Sequence, residues 1–179
     1  MRRGRENMVR VTNVVCTAEL KCEIDLKSLV FVSRDVIYNP RKTHSLVWRH
    51  KKIGGCCMLS KFGKMTCNGA ASSIGEAKKR VRCYARLVQK AGYPIHLTTI
   101  QVVTMSAVYT LSQSLDLRRL TREMNGLYEP ELFPALMFKR NGIHFNCFGS
   151  GKVVMTGIKN KSELKNIVLA TIIELELLI

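Results

Sequence analysis

The sequence predicts an α+β protein that contains two copies of one small unit, and three observations lead to this expectation. First, three short segments return in the same order at separations of 88 to 91 residues. Second, each copy contains stretches in which apolar and polar residues alternate, as they do in half-buried strands. Third, each copy ends in a longer stretch with apolar residues at helical spacing. Solenoid repeats are much shorter, so we expect two α+β repeats.

The repeated segments suggest where the two copies begin and end. The matched pairs are residues 24–29 (IDLKSL) with 115–120 (LDLRRL), 38–40 (YNP) with 128–130 (YEP), and 63–69 (GKMTCNG) with 151–157 (GKVVMTG). The spacing between matched segments drifts by only a few residues, which chance would rarely produce. We therefore expect a short basic N-terminal head at residues 1–10, a first repeat at 11–94 and a second repeat at 95–179.

Each repeat should follow one order of elements: a long strand, a short helix, three strands and a long helix. The predicted strands are 11–20, 45–50, 56–61 and 64–69, then 100–111, 135–140, 143–148 and 152–157. The predicted helices are 25–32 and 74–91, then 116–124 and 162–178. Asp25 and Asp116 stand in front of the short helices as natural N-caps. Gly92 and Pro94 should end the first long helix.

The second long helix contains more apolar residues than one core-facing stripe requires. The residues expected to face the sheet are Leu164, Ile167, Val168, Ile172, Leu175 and Leu178. Three further apolar residues form a second stripe that the sheet does not require: Leu169, Ile173 and Leu177. Two interpretations remain open for this second stripe: a crowded core, or a surface for a partner. The apolar run is too short and too charged to span a bilayer, and no membrane association is expected.

A sheet with helices on one side leaves its other side open, and the residues assigned to that side are neutral. They are Asn13, Val15, Val47, Met58, Ser60, Thr66 and Asn68, then Thr104, Ser106, His144, Asn146, Phe148, Val154 and Thr156. Cations are assigned to the edges, at Arg41, Lys42, Arg49, Lys64, Lys139, Arg140 and Lys152. A neutral floor with a basic rim suits the DNA minor groove, because phosphates meet the rim and base edges meet the floor.

The overall charge supports a polyanionic partner. The chain of 179 residues has a formal net charge of +16, which favours nucleic acid over an acidic protein or a membrane surface. The seven cysteines include no C-x-x-C pair and read as reduced, intracellular thiols. Residues 1–5 (MRRGR) precede no apolar segment, so no secretory signal is expected.

Enzyme motifs are missing from the sequence. The four histidines are scattered, with no second ligand at metal spacing, and no phosphate-binding glycine loop, nucleophile elbow or HExxH segment occurs. We therefore predict a protein that is not an enzyme, with no catalytic residues, no metal site and no cofactor.

One stretch carries a specific family resemblance. Residues 128–134 (YEPELFP) are followed by 151–157 (GKVVMTG), and residues 84–90 (YARLVQK) precede Gly92. These segments resemble the TATA-box-binding protein family, and the resemblance covers nearly all the chain after the first ten residues. It implies a saddle: a continuous curved antiparallel sheet of about ten strands, with four helices on the convex side. The same double unit also occurs inside some nucleases and glycosylases, so an accessory domain is an alternative.

The resemblance also implies which residues bind DNA. The family inserts two pairs of phenylalanines between base steps; Phe133 and Phe148 match the second pair, whereas Thr43 and Ser60 occupy the first-pair positions. Of two central asparagines in the family, Asn13 is kept. The remaining implied contacts are Val15, Thr66, Asn68, Thr104, Ser106, Pro134, Val154 and Thr156 on the floor, with Arg49, Lys64, Lys139 and Lys152 at phosphates. Phe62 could partly replace the missing pair.

Protein partners follow from the same resemblance. In the family an acidic turn holds transcription factor IIB, and its matching residues here are Glu129, Glu131 and Leu132. A basic helix meets transcription factor IIA and repressors, and its matching residues are Lys78, Arg82 and Arg86. Plain solvation of the turn and of the helix is the alternative interpretation.

The combined expectation is a nuclear, TATA-box-binding-protein-like initiation factor. It would bind the minor groove of core-promoter DNA and recruit transcription factors IIA and IIB, with TBP-associated factors as further partners. The alternative is a paralogue with weak or altered TATA recognition that acts mainly as a platform for protein interactions. The first-half positions Thr43 and Ser60 discriminate between the two hypotheses.

Overall fold

The computed structural model of the chain describes residues 8–179, so most of the predicted head at residues 1–10 lies outside the described residues. The chain forms two compact units. One unit is Asn13–Val103, and the other is Thr104–Ile179 together with residues 8–12. The repeat boundaries predicted at residues 11, 94 and 95 come from matched sequence segments rather than from compactness, and they stay a prediction.

The first unit has a five-stranded antiparallel sheet and two helices. Its elements are β1 (Arg10–Glu19), α1 (Leu26–Val32), β2 (Val36–Ile37), β3 (Ser45–Trp48), β4 (Cys56–Ser60), β5 (Lys64–Asn68) and α2 (Ile74–Lys90). The strands lie in the order β2-β3-β4-β5-β1, and each neighbouring pair is antiparallel. The two-residue strand β2 was not predicted, since so short a segment shows no alternation.

The second unit repeats this plan. Its elements are β6 (Gln101–Thr110), α3 (Leu117–Glu123), β7 (Ala135–Arg140), β8 (Ile143–Phe148), β9 (Lys152–Ile158), α4 (Lys161–Glu163), a π-helical stretch (Leu164–Val168) and α5 (Leu169–Leu177). The strands lie in the order β6-β9-β8-β7 and are antiparallel. The α+β class and the two-repeat plan are confirmed, with nine strands in residues 8–179 where about ten were expected.

Matching side chains start the corresponding helices in both units. The carboxylates of Asp25 and Asp116 each accept hydrogen bonds from the second and third backbone N–H groups that follow. Helix α2 begins with a capping box, in which Ser73 accepts from the Glu76 N–H and Glu76 accepts from the Ser72 N–H. The bond from the Ser72 N–H is also the main cause that lowers the pKa of Glu76. Asn160 and Glu163 form the equivalent box before α4.

The core lies between each sheet and its helices. Alternate strand residues enter it, and the fully buried ones include Val14, Cys16, Met65, Cys67, Phe145, Cys147, Val153 and Met155. All seven cysteines are free. Burial raises the pKa of Cys147 to about 12, so this thiol stays neutral beneath β8. The helix faces that pack on these strands include Tyr84 of α2, whose hydroxyl accepts from the His50 N–H at 3.1 Å.

Helix α5 buries one stripe and exposes another. Ile172 and Leu175 are buried, as is Val168 at the end of the preceding π-helical stretch, whereas Leu169, Ile173 and Leu177 have exposed fractions of 42%, 60% and 81%. The crowded-core interpretation of the second stripe is therefore wrong. None of the helices in the described part of the chain combines the length and apolar character that a membrane span requires.

Candidate nucleic-acid interface

Two phenylalanines form an exposed aromatic pair at one end of the open face of the second unit. The rings of Phe133 and Phe148 have centroids 5.9 Å apart and lie edge to face at 67°. Phe148 is paired across strands with Ala135, and Phe133 precedes Ala135 by two residues. The Phe133 N–H donates to the Glu129 carbonyl oxygen at 2.9 Å, which fixes the turn that carries the first ring. The pair remains accessible, since Phe133 is 37% exposed.

The strand register places the other second-half candidates on the same open face. Thr156 is paired with Ser106 on one side and with His144 on the other. Val154 is paired with Val108 and Asn146 in the same way. The face also holds half-buried Thr104 and, beside the aromatic pair, exposed Pro134. The structure therefore brings together the second-half floor that the sequence predicts, and its contact with DNA stays a prediction.

The first unit has the same geometry at its predicted wedge positions but lacks the rings. Ser45 pairs with Ser60 as Ala135 pairs with Phe148, and Thr43 precedes Ser45 by two residues. Both hydroxyl groups bond to nearby backbone. Thr43 Oγ1 accepts from the Ser45 N–H at 3.1 Å, and Ser60 Oγ accepts from the Lys64 N–H at 3.1 Å. This end of the first sheet is consequently small and polar.

Asn13 has one end of its side chain fixed by the backbone of the first unit. Its Oδ1 accepts from the Gly69 N–H at 3.0 Å, which defines the orientation of the amide. The Nδ2 group is then left to donate, and the minor-groove edges of A·T pairs present acceptors. Val15, Thr66 and Asn68 are also half-buried and lie on strands β1 and β5 beside it.

A buried arginine that was not predicted from the sequence supports this segment. Arg80 of α2 is 8% exposed, and its guanidinium donates to the carbonyl oxygens of Gly69 and Ala70 at 3.2 and 2.6 Å. Its Nε has no acceptor among the described residues. Arg80 thus holds the end of β5 from below while Asn13 holds it from the open side.

We expect Arg80→Met to lower the free energy of unfolding by about 1–3 kcal/mol, because two carbonyl groups lose their charged donor. Urea denaturation followed by circular dichroism measures this change. The control is Arg82→Met on the same helix, where the side chain is exposed. We expect the control to change stability by about 0.5 kcal/mol or less. Equal effects of the two substitutions would contradict a supporting role for Arg80.

The rim cations are exposed with one exception. Arg49, Lys64, Lys139 and Lys152 are all exposed, as the phosphate contacts of a DNA-binding surface would have to be. The sequence also predicts Arg140 on the basic rim, and this assignment is wrong. Arg140 pairs with Ile143 and follows the opposite pleat of β7 from Lys139, so its guanidinium reaches α5 and forms a two-point ion pair with Glu174.

Phe62 lies in the turn between β4 and β5 and does not pack into the core. Its side chain is 65% exposed, and Lys61 Nζ lies 4.6 Å from the ring centroid. Because the ring is exposed, it is available to a ligand, and it lies two residues after the predicted wedge position Ser60 in the sequence. Its replacement of the missing pair therefore stays a prediction.

The predicted partner residues are accessible. Glu129, Glu131 and Leu132 are exposed in the proline-stiffened turn, and Leu132 is 81% exposed. The Phe133 and Thr43 N–H groups donate to the carbonyl oxygens of Glu129 and Asn39, so both units contain the same turn. On α2, Arg82 and Arg86 are exposed and Lys78 is half-buried. Contact of these residues with a partner stays a prediction.

Other residues on the open faces were missed. Met137 pairs with Asn146, and Val108 pairs with Val154, so both belong to the second-half floor. Counting back by two from Lys139, and forward by two from Ser106, would have found them. Within residues 8–179, no group of three or more His, Cys, Asp or Glu side chains could hold a metal ion.

Comparisons with known proteins agree with this geometry. The family model described as "Transcription factor TFIID (or TATA-binding protein, TBP)" matches residues 8–91 and 99–176. The chain is 34% identical over 159 residues to TATA box-binding protein-like 2 of Rattus norvegicus, covering 87% of this chain and 46% of that protein. It is 33% identical to the TATA-box-binding protein of Xenopus tropicalis, covering 87% and 53%. The chain thus spans about half the length of the curated relatives it matches.

A solved structure supports the same assignment. The chain is similar to Methanococcus jannaschii TBP with a TM-score of 0.81 and 28% identity, covering 93% of this chain and 98% of that one. The fold and the family match define a transcription factor of the TBP type, a class of proteins that are not enzymes. The chain belongs to the TATA-binding protein family.

Proposed function

We propose that this protein is a nuclear initiation factor that binds the minor groove of core-promoter DNA through the open faces of its sheets. The observation that carries the proposal is the accessible Phe133–Phe148 pair beside a neutral floor. A wedge of this kind suits the minor groove, because apolar side chains that enter a base step widen and bend it. The exposed cations Lys139 on β7 and Lys152 on β9 would contact phosphates.

We also propose that the protein recruits transcription factors IIA and IIB, with TBP-associated factors as further partners. Exposed Glu129 and Glu131 would bind factor IIB, since two carboxylates and Leu132 lie together in one stiffened turn. Helix α2 would bind factor IIA through Lys78, Arg82 and Arg86. The capping box of α2 fixes where this basic helix begins.

A second candidate function is a platform that binds promoter DNA weakly or with altered preference while it assembles the general factors. Thr43 and Ser60 favour this candidate, because the first-half wedge positions hold hydroxyl groups already bonded to their own backbone. A missing pair of rings removes burial on the order of a few kcal/mol from the complex with DNA.

Binding to short duplexes tests the proposal. The protein is titrated into a TATA duplex and a GC-rich duplex over a series of salt concentrations, each with and without factor IIB. The proposal expects binding that weakens steeply with salt and that increases when factor IIB is present. The ratio of the affinities for the TATA duplex and the GC-rich duplex then separates the two candidate functions. A strong preference for the TATA duplex supports the first candidate, and a ratio near one supports the platform. Absence of binding at low salt would overturn both.

We expect Glu131→Arg to abolish joining of factor IIB while leaving DNA affinity nearly unchanged. The carboxylate of Glu131 is exposed and forms no ion pair with another described residue, so its charge is available to a partner. A reversal of charge inside such a contact disfavours association by several kcal/mol. The measurement is the mobility shift of a preformed protein–DNA complex when factor IIB is added.

The matched control for this variant is Arg41→Glu. Arg41 occupies the place in the first-unit turn that Glu131 occupies in the second, since both turns carry the same backbone hydrogen bond. We expect the control to retain factor IIB at saturating protein. Equal recruitment of factor IIB by Glu131→Arg and by the parent protein would refute the assignment of the acidic turn.

A further inference from the structure

Strand β8 carries two polar side chains on the open face of the second unit. His144 and Asn146 alternate with the fully buried residues Phe145 and Cys147, so both lie on the face of the sheet opposite the core. Neither side chain forms a hydrogen bond with another residue of the described chain. Polar groups that are accessible and unpaired in the free protein are available to a ligand on this face.

The neighbours of Asn146 define a small site. Asn146 lies between Met137 on β7 and Val154 on β9, and it is half-buried between them. Phe148 follows it by two residues on the same face, about 7 Å along the strand. A base pair within reach of Asn146 would therefore lie within about two or three steps of a step wedged by Phe148, because successive base pairs are about 3.4 Å apart.

The minor groove presents one group for which this site is suited. A·T and T·A pairs show only acceptors there, whereas a G·C pair adds the 2-amino group of guanine, which is a donor. A floor made only of methyl groups would bury that amino group without an acceptor, which disfavours binding. Asn146 Oδ1 is an acceptor, and the neutral imidazole of His144 has one acceptor nitrogen.

The first unit has no such acceptor pair on its corresponding strand. Its register places Cys56 and Met58 on β4, opposite Asn68 and Thr66. The same positions on β8 hold His144 and Asn146, opposite Thr156 and Val154. Where Asn146 offers an amide, Met58 offers a thioether that is a weak acceptor at best.

We infer that β8 reads the guanine 2-amino group in the minor groove, with Asn146 Oδ1 as the principal acceptor and His144 as the second. The second unit then selects a site that contains a G·C pair close to the wedged step, rather than an uninterrupted A·T run. This inference rests on the proposed binding of the minor groove and names the sequence class that the site takes. Asn146 is a specificity-determining residue in this scheme.

Duplexes that differ by a single minor-groove amino group provide the test. A G·C pair is moved through an A·T-rich duplex one position at a time, and each duplex is also made with inosine·C, which lacks the amino group. In a second series, 2,6-diaminopurine·T adds the amino group to an A·T pair. At one or two adjacent positions, we expect the duplex that carries the amino group to bind about tenfold more tightly than the matched duplex that lacks it.

The variant Asn146→Val should abolish this preference at those positions, and Met58→Val at the matching site of the first unit should leave it unchanged. The ratio of affinities for amino-bearing and amino-lacking duplexes, measured with the unaltered protein, tests the inference even if Asn146→Val does not fold. Salt-dependent binding with equal affinity for amino-bearing and amino-lacking duplexes at every position would overturn the inference alone. No binding to any duplex at low salt would instead overturn the proposed function on which it rests.

Discussion

The double substitution Phe133→Ala with Phe148→Ala is expected to reduce affinity for promoter DNA about a hundredfold. The centroids of the two rings lie 5.9 Å apart and the pair is accessible in the free protein, so the ring area is available for burial between bases. Burial of two aromatic side chains stabilises a complex by about 3 kcal/mol or more, which corresponds to this loss. The measurement is fluorescence anisotropy with a labelled TATA duplex over a salt series.

The character of the remaining binding is as informative as its strength. Without the rings, Arg49, Lys64, Lys139 and Lys152 should still attract phosphates, so the variant should bind all sequences alike and lose affinity steeply with salt. Phe31→Ala is the matched control, because Phe31 is 89% exposed but lies in helix α1 and not on an open sheet face. If the double variant keeps the parent's affinity and its preference between duplexes, Phe133 and Phe148 are not a wedge.

The converse substitution, Thr43→Phe with Ser60→Phe, should raise affinity for a TATA duplex by about ten- to a hundredfold, or ~1–3 kcal/mol. The pairing of Ser45 with Ser60 is the same as that of Ala135 with Phe148, so the two new rings would be neighbours. Their gain in buried area and mutual contact exceeds the cost of unstacking one more base step. The free protein should become less soluble, because an apolar patch is exposed.

The control for this gain is Thr43→Val with Ser60→Ala. It removes the hydroxyl groups that bond to the Ser45 and Lys64 N–H groups but adds no ring, so the lost hydrogen bonds are measured separately. We expect affinity to stay within a factor of about three, since these N–H groups can bond to water instead. If the Phe variant binds no better than the parent at any salt concentration, the missing pair does not limit binding. Thr104 and Asn68 would then be examined next.

Features encoded within a few residues were predictable from the sequence. Asp25 and Asp116 cap helices through backbone N–H groups two and three residues away, so the side chain and its partners are adjacent in the sequence. The open faces were predictable for a similar reason. A strand alternates every residue, and the neutral residues therefore fall on one side together, as Thr156 and Val154 do.

Features that depend on packing between distant segments were not predictable. Arg80 reaches Gly69 and Ala70 only because α2 packs beneath β5, and no local pattern distinguishes it from the solvated arginines of the same helix. The ion pair of Arg140 with Glu174 joins residues 34 positions apart. The sequence also could not decide whether Leu169 would be buried, since its exposure depends on how far the sheet extends beneath α5.

The shared turn of the two units has a consequence for how the repeats can diverge. The Thr43 and Phe133 N–H groups make the same hydrogen bond, so the chain follows one path in both copies. Only the side chains differ, with Arg41 and Lys42 in one copy and Glu131 and Leu132 in the other. A duplicated scaffold of this kind lets each copy acquire its own surface charge through point substitutions, so that one turn is basic and the other is acidic. Such a division of labour requires no rearrangement of the backbone.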